Sequence, residues 1–155
     1  MRTAYSLLIL GGLALVAPLA AQQTEIHLTR EEIKTRRQQI VAANLPMPDS
    51  VAAKFWPVYR DYQVEVSKLG DRTTAVILDY AKVYRTMSDT AALRLTDQWL
   101  DIQADRAKLH KEWAKKFRKV APATTVARFL QIENRLDNIV EGELQDQIPM
   151  VEPKH

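Results

Sequence analysis

Histidine is the side chain that most readily serves as acid, base or metal ligand near neutral pH. This chain has three, His27, His110 and His155, too far apart in sequence to read as one site. It has no cysteine, no Gly-x-Ser-x-Gly elbow and no Gly-rich phosphate loop. Its carboxylates recur at helix-surface spacing rather than as an isolated acid/base pair. Arg106 and Lys111 flank His110 and would repel a cation, and His27 and His155 lie near the ends of the chain. The residue types therefore point away from an enzyme, and neither a cofactor nor a metal site is expected.

What remains is chemistry of contact. Arg106, Lys108, Lys111, Lys115, Lys116, Arg118 and Lys119 form a dense basic run against the single acid Glu112. Two readings stand side by side. The run is a working surface for acidic or unfolded polypeptide or anionic lipid, or it is a structural row. In the second case Lys111, Lys115 and Lys119, four residues apart, face Glu133, Asp137 and Glu141 on the next helix, with the basic charge also complementing a helix C-terminus. The aromatics Phe55, Trp56, Tyr59, Tyr62, Trp99 and Trp113 divide in the same way, most of them core and some left as a surface for a partner or a second copy.

The elements that must position these groups are helices. Phe55, Tyr59, Tyr62, Val66, Leu69, Thr73, Val76, Tyr80, Val83 and Met87 follow one another at alternating steps of four and three, one residue per turn on a single face. This predicts a long second helix over residues 49–87, capped by Asp49 or Ser50. Pro57 either kinks it or marks its regular start. Before it, Thr29 and Glu32 form a capping box for a first helix to about Asn44, with Ile33, Ile40 and Val41 on a thin apolar face. Leu45-Pro46-Met47-Pro48 stops that helix.

Ser88-Asp89-Thr90 caps a third helix with Ala92, Leu95, Trp99, Ile102, Leu109, Trp113 and Val120 along its seam, interrupted by Arg106 and Lys116. A fourth, over about residues 123–147, uses Val126, Phe129, Leu130, Ile132, Leu136, Ile139, Val140 and Leu144. The short link at Ala121-Pro122 makes helices three and four antiparallel neighbours. No strand or hairpin signal occurs, so the class is all-α.

The first 21 residues read as a cleaved secretory signal peptide: a cationic start at Arg2, an apolar run from Leu7 to Val16, and small residues to Ala21. The apolar run falls short of the ~20 residues that span a bilayer, which disfavours an uncleaved anchor. Residues 22–27 form a polar lead-in, 28–148 a single helical domain and 149–155 a tail. The expected location is periplasmic, with no membrane span after cleavage. A formal charge of +3 in 155 residues is too small an excess for nucleic-acid binding.

These features resemble one family. The leader, the four helices with a long second one, the lack of cysteine and Leu28-Thr29-x-x-Glu32 are similar to the Spy/CpxP periplasmic chaperone family, whose hallmark Leu-Thr-x-x-Gln occurs twice. Glu32 stands where Gln is usual. Val120-Ala121-Pro122-Ala123-Thr124 occupies the place of the second copy without its Thr or Gln. Phe55-Trp56-Pro57-Val58-Tyr59 also resembles Spy-like proteins of unassigned role, some of them sensors of envelope signalling. The resemblance implies an elongated four-helix hairpin bundle, dimeric and cradle-shaped, that holds unfolded clients without ATP. Phe55, Trp56, Tyr59, Arg106, Lys115 and Arg118 are the candidate client contacts. The alternatives are a regulatory subunit docking on one envelope-stress partner and a metal-responsive sensor.

Overall fold

The computed structural model describes residues 35–151. The expected signal peptide, the lead-in, the capping box at Thr29 and Glu32, Ile33, His27 and His155 lie outside them. Among the described residues there are four helices and no strand. α1 covers 35–44; α2 runs Asp49–Val83, α3 Asp89–Phe117 and α4 Ala123–Gln147. At 1.5 Å per residue α2 is about 52 Å long.

Local chemistry sets the boundaries. The cap of α2 is neither Asp49 nor Ser50. Pro48, extended at φ −60° and ψ 149°, places its carbonyl to accept from Val51 N and Ala52 N, both at 2.9 Å. Pro48 already has the φ the helix entry requires, and Asp49 moves into the first turn, where its charge favours the dipole. Pro57 lies inside an uninterrupted α2 on the exposed side, so its ring points to solvent. The regular helix ends at Val83, four residues short of Met87. A 3-10 turn, Tyr84–Thr86, then carries the chain over. Ser88 does cap α3, its Oγ accepting from Ala91 N at 3.2 Å.

α2 and α3 run antiparallel along most of their length. Phe55 meets Phe117, Tyr62 meets Trp113, and Arg72 pairs with Asp105 across them. α4 returns antiparallel to α3, with Phe129 on Phe117 and Glu141 beside Arg106. α1 closes the end at which α2 and α4 begin. Beyond α1 the bundle is three helices thick, and Pro149, just past α4, is held by Tyr80 OH donating to its carbonyl at 2.5 Å.

The core is concentrated where all four helices meet. Phe55, Tyr59, Tyr62, Phe117 and Phe129 are fully buried there, with Val41, Leu45, Trp113 and Val126 around them. Ring centroids lie 4.5 Å apart for Phe117–Phe129, 4.9 Å for Phe55–Phe117 and 5.6 Å for Tyr62–Phe129. Such ring pairs add about 0.5–1.5 kcal/mol each beyond their buried area. Toward the far end the seam thins to Leu69, Thr73, Thr74, Leu95 and Ile102. Thr73, the one polar position of the α2 seam, is buried because its hydroxyl donates to Leu69 O at 3.0 Å.

Because Phe129 touches rings from both α2 and α3, Phe129→Ala is expected to cost about 3–5 kcal/mol in urea unfolding, whereas Leu100→Ala on the exposed side of α3 stays within about 0.5 kcal/mol.

Candidate functional site

The expected row of ion pairs between Lys111, Lys115, Lys119 and Glu133, Asp137, Glu141 does not form. Leu109, Trp113 and Phe117 turn toward the core, and the lysines two residues along each point about 200° away from them. The α4 carboxylates face inward instead. Glu133 is fully buried, accepting on Oε2 from Arg37 Nε at 3.0 Å, Arg37 Nη2 at 2.6 Å and Tyr62 OH at 2.9 Å. Asp137 accepts from Arg37 Nη2 at 2.7 Å, and its other oxygen is 3.6 Å from His110 Nε2. Glu141 takes Arg106.

One buried arginine from α1 is thus shared by two carboxylates of α4, with a tyrosine from α2 and a histidine from α3 at its edges. Burial by itself disfavours the Arg37 charge. The Glu133 and Asp137 carboxylates outweigh it and hold the guanidinium's pKa above its ordinary value. The same burial, with Glu133 adding to it, raises the Tyr62 and Tyr59 phenols. His110 is pushed below its usual value, first by burial, while Asp137 pulls the other way and Arg37 and Arg106 reinforce the fall. Three polar atoms in this interior have no partner: Glu133 Oε1, Tyr59 OH and Gln63 Nε2.

The six candidate contact residues separate. Phe55 and Tyr59 are fully buried because α1, α3 and α4 all close over their face of α2. Trp56, next along the helix, is half-buried, edge-on to Phe55 and Tyr59. Arg106 is half-buried on Glu141, with Gln103 Nε2 3.5 Å from the same oxygen. Lys115 and Arg118 are exposed. Together with Lys108, Lys111, Lys116 and Lys119 they form a basic face on the C-terminal half of α3 and the turn after it, with exposed Glu112 its one acid, and no ion pair joins these bases to a carboxylate among the described residues. Lys116 Nζ lies 3.6 Å from the Trp113 ring centroid, so cation and aromatic meet at the edge of this face. Among the described residues no group of three or more histidines or carboxylates converges as a metal site would. No described helix is long and apolar enough to cross a membrane.

The Arg37 network is what reading by residue type missed. Its signal was present: Arg37 stands four residues before Val41 on the apolar face of α1. Glu133 occupies a seam position between Phe129 and Leu136 on α4. Opposite charges at two core positions announce a buried pair. No family model, curated protein or solved structure matches the chain.

The two tyrosines should respond oppositely to loss of a hydroxyl. Tyr62→Phe removes a donor to a buried carboxylate and is expected to cost about 1.5–3 kcal/mol. Tyr59→Phe removes an unpartnered buried hydroxyl and is expected to be neutral or stabilising, both read by urea unfolding.

His110 makes stability pH-dependent in a defined direction. Its folded value lies below its unfolded value of 6.5, so the unfolded chain holds more protons in that window, and this contribution to stability rises with pH up to about 6.5. Comparing urea midpoints at about pH 5 and about pH 7.5, His110→Gln is expected to shrink the gain the parent chain shows.

Proposed function

We propose that this chain binds other polypeptides, as an exported, periplasmic, Spy/CpxP-like chaperone that holds unfolded envelope proteins without ATP. The observation that carries the reading is the basic face of α3. Lys111, Lys115, Arg118 and Lys119 are exposed and unmatched because the carboxylates that could have neutralised them are engaged inside the bundle. A predominantly basic face, with Glu112 its single acid, attracts an acidic or unfolded chain over a distance of about 10 Å at ordinary salt. Half-buried Trp56 and the Trp113–Lys116 edge then offer weak, adaptable contact. Lys115 and Arg118 serve as contact residues in this reading, whereas Phe55 and Tyr59, fully buried in the core, do not reach a client. A homodimer belongs to the same proposal, since Leu93 and Leu100 lie on one outward stripe of α3 at 67% and 58% exposure. The alternative, a regulatory subunit with one dedicated envelope partner, uses the same basic face.

The test mixes the chain from residue 22 with two unrelated aggregating proteins, without ATP, and follows light scattering. Suppression of both near equimolar ratio is expected, and the triple change Lys111→Glu, Lys115→Glu, Lys119→Glu should weaken it by about tenfold, more at low salt than at high. Suppression of neither protein would overturn general chaperoning in favour of the dedicated regulator.

A further inference from the structure

The outer face of α3 is split by charge. At 3.6 residues per turn, Leu93, Asp97, Leu100, Asp101 and Ala104 share the side of α3 opposite buried Leu95, Ile102 and Trp113, and all of them are exposed. Lys108, Lys111 and Lys115 continue the same stripe and are exposed too. Along the stripe the first half thus carries acids and the second half bases. The other charges nearby turn aside: Asp105 goes to Arg72, Arg94 lies toward Asp79, and Glu112 sits at the flank, about 100° on from Lys111. Among the described residues no ion pair engages Asp97, Asp101, Lys108, Lys111 or Lys115.

Such a stripe complements itself in one orientation. When two copies meet antiparallel with Ala104 on the two-fold axis, Asp97 stands opposite Lys111 of the second copy and Asp101 beside its Lys108. Each pair occurs twice, because a two-fold contact is reciprocal. Leu93 and Leu100 come under the methylene stems of Lys115 and Lys108, which cover them while the ammonium groups reach the acids. Ala104 is small enough for close approach at the centre, and Glu112 faces Thr96, so no acid meets an acid. From Leu93 to Lys115 the contact extends about 33 Å at 1.5 Å per residue. A parallel contact would set Asp97 on Asp97 and Lys111 on Lys111, and like charges brought together are penalised.

We propose that a second copy of this chain docks antiparallel on the outer face of α3 and covers its basic half, so that self-association masks the face a client would use. The dimer stands on the charge split alone; the masking deepens the polypeptide-binding reading and rests on it. Lys108, Lys111 and Lys115 then have two competing partners, the acids of a second copy and an acidic segment of a client. Dilution frees the face and a client competes for it, both by mass action.

The chain has no cysteine, so single cysteines report the geometry without background. In a two-fold contact only the residue on the axis meets its own copy, so Ala104→Cys is expected to oxidise to a disulfide dimer about tenfold faster than Leu93→Cys or Lys115→Cys. Sedimentation of the parent chain should show a dimer that dissociates on dilution, and more readily at high salt than at low. Asp97→Lys with Asp101→Lys should sediment as a monomer, as should Lys108→Glu with Lys111→Glu and Lys115→Glu, while an equimolar mixture of the two variants pairs again. Masking is read on Ala104→Cys, whose oxidised and reduced forms carry the same charge. The oxidised form should need about tenfold more chain for equal suppression of the same aggregating proteins, with the parent chain indifferent to the reductant. A parent monomeric at every concentration, three cysteines coupling at one rate, or variants that stay apart when mixed overturns the dimer. Equal suppression by the oxidised and reduced forms overturns the masking alone. A chain that suppresses nothing in either form overturns the polypeptide-binding reading and the masking with it, and the dimer then stands or falls by the cysteine rates.

Discussion

A guanidinium taken out of water must be matched closely or the fold that buries it is penalised. Arg37 meets this with Glu133 and Asp137 together, and Tyr62 OH supports the more buried of the two. Much of the molecule follows from that match. It links α1 to α4 across 96 residues of sequence. It fixes the rotation of α4, since Glu133 can reach Arg37 only if Phe129 and Val126 turn into the aromatic cluster on the same side. With α4 so rotated, Asp137 and Glu141 also face inward, toward His110 and Arg106. The bases on the outside of α3 are therefore left without these carboxylates as partners.

The bundle is uneven along its axis. One end is four helices thick, packed with five fully buried rings; the other is three helices thick with threonine, leucine and isoleucine and, among the described residues, no fully buried ring in its seam. The ion pairs on the thin end, Arg72–Asp105 and Arg94–Asp79, are exposed and contribute little. Local opening is therefore favoured at the thin end, for want of apolar contact.

A protein that holds many unrelated chains needs attraction without shape demands. In the proposed reading, lysines on an exposed face would provide attraction at a distance, and half-buried Trp56 beside the aromatic core would provide contact of low specificity. The same features would serve a dedicated partner if its surface were acidic, so partner range is what distinguishes the two proposed readings.

Much of the fold was legible in the sequence because it depends on local rules. Apolar spacing announced α2, α3 and α4, Ser88 announced the start of α3, and the prolines at 46, 48 and 122 announced the breaks. Heptad order also placed Phe55, Tyr59 and Tyr62 on the inner face of α2. Pairing across helices was different. Periodicity gives each helix an inner face but not its partner's rotation, so Lys111, Lys115 and Lys119 could be set opposite Glu133, Asp137 and Glu141 on paper. The tertiary structure turned the lysines out because Trp113 and Phe117 bury far more apolar area than an exposed ion pair returns. It likewise decided that Phe55 and Tyr59 are core while Lys115 and Arg118 remain surface. Burial is settled by what packs over a residue, and that depends on helices distant in the chain.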